Sequence, residues 1–87
     1  MSYELVFYEK NVYTGLSKFK TLGEALDHLI ACMDRYTQTN GFYTVADSIN
    51  SFMVVDLSPT SKTIKLNGLL SNDDKNAIQL RINTTFH

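Results

Sequence analysis

Cysteine, proline and long apolar runs are scarce in this sequence. Its 87 residues include one cysteine, one proline and no tryptophan. The single cysteine, Cys32, excludes an intrachain disulfide, on which small secreted domains usually depend. The apolar runs, among them residues 5–8 and 52–55, fall far short of the ~20 residues that a membrane-spanning helix needs. We therefore expect a soluble, cytoplasmic protein without membrane contact.

An excess of charge of either sign is also missing. Eight Lys and Arg against nine Asp and Glu give a net charge of −1. This balance excludes both a strongly basic nucleic-acid binder and an acidic mimic of DNA. The apolar fraction of 44% and the charged fraction of 20% are ordinary for a folded protein. We expect residues 1–87 to form a single small domain.

Catalytic and cofactor motifs are absent as well. Four scattered glycines form no phosphate-binding loop. His28 and Cys32 lie four residues apart on a predicted helix, with Glu24 one turn earlier, and side chains at this spacing can share a metal ion. No second cysteine or histidine pair completes a tetrahedral site, and a base on the same helix is poorly placed to activate a thiol. We therefore expect no catalytic residue, no metal and no cofactor.

The most distinct predicted element is a helix over residues 22–38. Thr21 to Glu24 fit a capping box at its start, and Asn40-Gly41 provide the left-handed residue that commonly follows a helix end. Apolar residues recur between these signals at intervals of three and four, which is typical of a helix with one buried face. They are Leu22, Ala25, Leu26, Leu29, Ile30, Met33 and Tyr36.

Alternation with a period of two predicts strands on both sides of this helix. The first two strands are joined by a short polar segment, which favours an antiparallel hairpin with Tyr13, Ser17 and Phe19 on one side. Residues 52–55 are apolar on both faces and predict a strand that is covered above and below. The predicted strands are residues 3–8, 12–20, 42–45, 52–57 and 63–67.

The last segment fits two patterns. Ile78, Leu80 and Ile82 alternate with polar residues, which favours a strand. Ser71 resembles a helix start, and the spacing of Ile78, Ile82 and Phe86 also fits a short helix. We favour the strand and keep the helix as the alternative. The predicted fold is α+β: a mainly antiparallel sheet of five or six strands in the order β-β-α-β-β-β, with one long helix packed on one face.

One helix can cover only one face of such a sheet. A helix of this length is about 25 Å long and about 10 Å wide, so the opposite face has no cover unless the C-terminal segment supplies it. Aromatic residues are favoured at interfaces, and a cluster of apolar residues on an open face marks a binding surface. We predict that this face binds a protein partner, or a second copy in a homodimer, through Val6, Tyr8, Leu16, Phe52 and Val54.

A nucleic-acid alternative rests on the first hairpin. Tyr8 and Tyr13 lie there beside Lys18 and Lys20, and rings next to cations are typical of proteins that bind single strands. The negative net charge weakens binding to a phosphate backbone. Nucleic acid is therefore the second hypothesis, after a protein partner.

These observations together predict a non-enzymatic interaction protein. In its size, its low cysteine content and its lack of catalytic residues, the chain is similar in kind to accessory and inhibitor proteins of phages and mobile elements. The likeness covers general architecture and no motif. It implies a protein that binds a host protein or pairs with itself.

Overall fold

Five strands and two helices make up the computed structural model, which describes residues 2–37, 42–47, 52–58 and 60–86. The expected α+β class is confirmed. The elements in chain order are β1 (Tyr3–Glu9), β2 (Val12–Phe19), α1 (Leu22–Thr37), β3 (Phe42–Asp47), β4 (Phe52–Ser58), β5 (Lys62–Asn67) and α2 (Asn72–Phe86).

The strands form one antiparallel sheet, as predicted. Their spatial order is β2-β1-β5-β4-β3, and every neighbouring pair runs antiparallel. Strand β1 therefore joins the N-terminal hairpin to the three strands that follow α1. Strand β5 is central, and β2 and β3 are the two edges of the sheet.

The first hairpin closes through a two-residue turn. Glu9 pairs with Val12, and the intervening Lys10 and Asn11 have φ angles of 51° and 65°. Two successive left-handed residues are typical of a type I′ turn, whose twist matches that of the flanking strands. The amide of Lys10 also donates a hydrogen bond of 2.9 Å to the carbonyl of Ser61, which links this turn to the β4–β5 turn.

A β-bulge in this hairpin changes the side on which Tyr13 lies. The register between β1 and β2 shifts just before Tyr8, which pairs with Tyr13 and leaves Thr14 as the extra residue. Ser17 and Phe19 lie on the opposite side of the sheet from Tyr8. The prediction that Tyr13 shares a side with these two residues is therefore wrong, because an extra residue inverts the alternation.

Helix α1 begins as the sequence predicts. The hydroxyl of Thr21 accepts a hydrogen bond of 3.2 Å from the amide of Glu24, which is one of the two bonds of a capping box. The helix ends at Thr37, and the predicted stop at Asn40-Gly41 lies outside the described residues. Its buried residues are Ala25, Leu26, Leu29 and Met33.

The last segment is a helix, so the favoured strand is wrong. Ser71 and Asp74 form a reciprocal capping box at its start: the hydroxyl of Ser71 accepts from the amide of Asp74, and the carboxylate of Asp74 accepts from the amide of Ser71, both at 3.1 Å. Ile78 and Ile82 are 1% and 0% exposed, whereas Leu80 is 68% exposed. A strand would place all three on one side, so helical spacing explains the burial.

Both helices pack on the same face of the sheet. Buried residues of α1 and α2 form one cluster with residues of the strands. The ring of Phe86 lies 5.6 Å from that of Tyr43 on β3, and Arg81 contacts Asp27 at 2.6 Å. The prediction of a single helix is therefore incomplete, and the order is β-β-α-β-β-β-α. The strand residues of this core are Leu5, Met53, Val55, Leu57, Ile64 and Leu66.

Candidate functional site

The open face, defined as the side of the sheet opposite the two helices, carries a row of paired residues. Val6 of β1 pairs with Leu16 of β2 and with Lys65 of β5. Lys65 pairs in turn with Val54 of β4. Because directly opposed residues point to the same side of a sheet, these four side chains form one row across it.

Two aromatic residues flank this row. Side chains alternate along a strand, so Tyr8 lies on the same side as Val6, and Phe52 on the same side as Val54. The Nζ atom of Lys65 lies 4.0 Å from the centroid of the Phe52 ring, in a cation–π contact. The strand register thus brings all five predicted partner-binding residues to one face.

The apolar residues of the open face are shielded by their neighbours to different degrees. Val6 retains 8% exposure, and Leu16, on the edge strand, retains 42%. Tyr8, Phe52 and Val54 are half-buried. In the part of the chain that the structure describes, no helix lies over this face, because both helices belong to the core on the other side. The prediction that β4 is covered above and below is therefore wrong within the described residues.

Charged residues of both signs lie among these apolar residues. The register places Glu4 and Lys18 directly opposite each other on the open face. Asp56 and Lys65 lie on the same side, on β4 and β5. Two acidic and two basic side chains give these four positions no net charge. Such a surface has no excess potential that would attract a polyanion.

The residues of the nucleic-acid alternative are brought together only in part. The rings of Tyr8 and Tyr13 lie 6.4 Å apart in an edge-to-face arrangement. Lys18 lies on the same face, but its cross-strand partner is the carboxylate-bearing Glu4. Lys20 lies beyond the end of β2, in the connection to α1. The hairpin therefore offers a nucleic acid two aromatic rings and one lysine whose charge is countered by an opposing carboxylate.

The titratable residues singled out on α1 do not converge on a reactive centre. The ring of His28 lies 6.4 Å and 5.3 Å from phenylalanine rings of β1 and β2. Cys32 is half-buried, and burial raises the pKa of its thiol more than the nearby Arg35 charge lowers it. Glu24 is exposed. Among the described residues, no group of three or more His, Cys, Asp or Glu side chains is placed to hold a metal ion.

A cleft of about 610 Å³ lies beside the C-terminal half of α1, on the helix side of the sheet. Cys32, Arg35 and Tyr36 line it from the helix. Phe7 and Ile64 line it from the sheet. No local sequence pattern predicts this cleft, because its walls come from segments that are far apart in the chain.

Lys65 was also not selected from the sequence, although a signal for it existed. Residues 63–67 alternate between apolar and polar side chains, and that pattern places Lys65 on the outward side of its strand. What the pattern could not reveal is that β5 is the central strand. Because β5 is central, Lys65 lies in the middle of the open face.

Comparison with protein-family models, curated proteins and solved structures finds no match for this chain. None of the helices among the described residues is long and apolar enough to span a membrane. Function is therefore inferred from the geometry of the open face.

Proposed function

We propose that the protein is a non-enzymatic interaction module that binds a protein surface through its open face, and that a second copy of the chain is the first such surface. The supporting observation is the one-sided packing of the fold. Helices α1 and α2 share one core, and the five predicted partner-binding residues lie on the side of the sheet away from it. Apolar and aromatic residues surrounded by polar ones are the usual composition of a protein interface.

The size of the open face supports a pair of sheets packed face to face. Five strands about 4.8 Å apart and about six residues long give a face of roughly 24 Å by 20 Å. That is about 500 Å² in projection per copy, and the accessible area of a surface with protruding side chains is larger. A specific interface buries about 1,200–2,000 Å² in total, so two such faces fall near the lower end of this range.

The charges on the open face also suit a second copy. A twofold contact places each patch against the same patch of the partner. A surface that carries both Glu4 and Lys18, and both Asp56 and Lys65, can then set opposite charges against each other. A surface of one sign would repel its own copy. The mixed charges therefore favour self-association over binding to a strongly charged partner.

A different protein remains the second occupant of the same face. An accessory or inhibitor protein of a phage or mobile element would use it to cap an apolar surface of a host protein. We place this activity in the cytoplasm, because a reducing compartment suits a chain whose one cysteine is half-buried. In either form the protein acts by binding and not by catalysis.

The test is the solution mass, measured by light scattering over a concentration series from micromolar to millimolar. We expect the unmodified chain to form a dimer. Phe52→Glu and Leu16→Glu should give monomers, since each places a charge within the buried contact. Leu16 is already 42% exposed, so its replacement leaves the fold intact. Circular dichroism confirms that each variant remains folded.

Leu80→Glu is the matched control. Leu80 is a large apolar residue with 68% exposure, and it lies on α2, in the layer away from the open face. This variant should remain a dimer. A chain that stays monomeric to millimolar concentration, or a dimer that survives both open-face substitutions, would contradict pairing through this face. A monomer that binds oligothymidine with a steep loss of affinity in salt would support the nucleic-acid alternative instead.

A further inference from the structure

We propose that the cleft beside α1 is a binding site for a small organic carboxylate with an aromatic or similarly compact apolar body. The cleft lies on the helix side of the sheet and is separate from the open face. Its volume of about 610 Å³ falls within the range of about 300–1,000 Å³ that is typical of small-molecule sites. It is therefore large enough for a ligand with one or two rings.

The walls of the cleft are largely apolar. The side chains of Leu57 and Ile64 are 5% and 4% exposed and belong to the core of the protein. Phe7 lines the cleft beside them on β1, and Tyr36 and Cys32 line it from α1. A ligand body placed here would contact aromatic and aliphatic groups, which is how such sites bury most of a ligand's surface.

The polar groups of the cleft favour an anion. Arg35 and Lys62 contribute two cations against one carboxylate, that of Glu9. The hydroxyls of Thr14 and Thr60 already donate hydrogen bonds to backbone carbonyls, at 3.1 Å and 3.2 Å. Glu9 lies directly opposite Lys62 in the register of β1 and β5, so Arg35 on α1 provides the main charge for a ligand. A guanidinium recognises a carboxylate through two parallel hydrogen bonds.

Gly15 is the residue that keeps this space open. It pairs with Phe7, so a side chain at this position would extend to the helix side of the sheet. Its φ angle is not positive, and a Cβ atom built on it meets no atom within 4 Å. Neither backbone conformation nor packing therefore requires glycine here. A β-branched or aromatic residue would ordinarily stabilise a strand at such a position, and it would also fill part of the cleft.

The cleft contains its own reporter. Cys32 is the only cysteine of the chain, and it lines the cleft. Alkylation of this thiol by iodoacetamide can be followed by mass spectrometry, and a ligand that occupies the cleft should slow it. The probe is 1-naphthylacetate, and its neutral analogue 1-naphthylacetamide has the same apolar body without the charge.

We expect a saturating concentration of 1-naphthylacetate to slow the alkylation of Cys32 at least fivefold. The amide should protect only at concentrations at least tenfold higher, because its neutral group forms no ion pair with Arg35 or Lys62. Backbone amide signals of residues 15, 32 and 35 should shift in NMR spectra during the same titration. The absence of protection, equal protection by the two compounds, or shifts confined to the open face would each overturn the proposal.

Two variants locate the site. Gly15→Leu should slow alkylation of Cys32 without any ligand and abolish further protection by the probe, because its side chain occupies the cleft. Gly23→Leu adds the same side chain on the exposed first turn of α1, away from the cleft, and should behave as the unmodified chain does. Full protection in a folded Gly15→Leu variant would overturn the assignment.

Arg35→Gln tests the charge independently of the shape of the cleft. This variant replaces an exposed side chain and should remain folded. We expect it to lose most of the preference for the carboxylate over the amide. Lys20→Gln removes an exposed lysine that does not line the cleft, and it should keep that preference. An Arg35→Gln variant that discriminates as well as the unmodified chain would contradict the role of Arg35.

Discussion

Replacement of Gly68 by alanine is the sharpest test of the packing at the end of β5. A Cβ atom at this position would overlap Cδ1 of the Tyr3 ring and stand 2.8 Å from Cε1 and 3.2 Å from Cγ. Ordinary carbon–carbon contacts lie at about 3.5–4.0 Å. The ring, which is half-buried and packs against the core, would have to move by roughly 1 Å.

Overpacking of this kind costs about 1–3 kcal/mol. The loss of backbone freedom in the unfolded chain offsets about 0.4–1 kcal/mol when glycine becomes alanine. Taken at their midpoints, these two effects lower the free energy of unfolding of Gly68→Ala by about 1.3 kcal/mol. For a domain of this size that corresponds to a decrease in Tm of about 5–10 °C.

A double-mutant cycle identifies the cause. Chemical denaturation is measured for the unmodified chain, Gly68→Ala, Tyr3→Ala and the double variant. If the ring causes the loss, Gly68→Ala should be neutral or stabilising in the Tyr3→Ala background, with a coupling energy of about 1–3 kcal/mol. Gly23→Ala is the control, because its Cβ meets nothing closer than 4.0 Å, and it should not destabilise. An equal loss with and without the ring would refute this reasoning.

Three further predictions concern the helices and the response to pH. Ser71→Ala removes the hydroxyl of the α2 capping box and should lower the free energy of unfolding by about 0.5–2 kcal/mol in urea denaturation. Arg81→Gln should change the free energy of unfolding by about 1 kcal/mol or less, because the side chains of the ion pair with Asp27 are 42% and 67% exposed. In high salt the variant and the unmodified chain should be equally stable. Burial raises the pKa of Cys32 and of Tyr43, so the folded state holds these protons more tightly than the unfolded chain does. Stability should therefore be constant below the ordinary pKa of each group and decrease as the pH rises through its raised value. Thermal unfolding between pH 7 and pH 11 checks this, and a Tm that rises with alkaline pH would contradict it.

The sequence was sufficient to predict the parts of the fold that local patterns determine. Helix α1 follows from a capping residue and a regular apolar spacing. In the structure the capping hydrogen bond of Thr21 is formed and regularly spaced apolar residues of the helix are buried. The separation of Val6 from Leu5 onto opposite faces follows from alternation alone, and the pairing of β1 with both neighbours is consistent with it. In each case the physical cause lies within one turn or one strand.

The features that the sequence did not predict depend on competition between local signals or on contacts between distant segments. In the last segment, Ile78, Leu80 and Ile82 satisfied two periods at once, and the capping box of Ser71 with Asp74 decided for the helix. A glycine inside a strand, such as Gly15, is typical of a bulge, but the alternation does not show which residue is extra, so the side of Tyr13 was predicted wrongly. The cleft was not foreseen because it needs α1 to lie over strands from both halves of the chain.

The pairing of β1 with β5 has a consequence for how the chain assembles. The N-terminal part, with β1, β2 and α1, contains its own hairpin, and the C-terminal part, with β3, β4, β5 and α2, contains its own meander. The seam in which Phe7 pairs with Ile64 holds the two parts in one sheet. Pairings this distant in sequence form slowly, so we expect this seam to limit the folding rate. If the chain is divided between α1 and β3, we expect the two fragments to associate in a complementation assay by pairing β1 of one with β5 of the other.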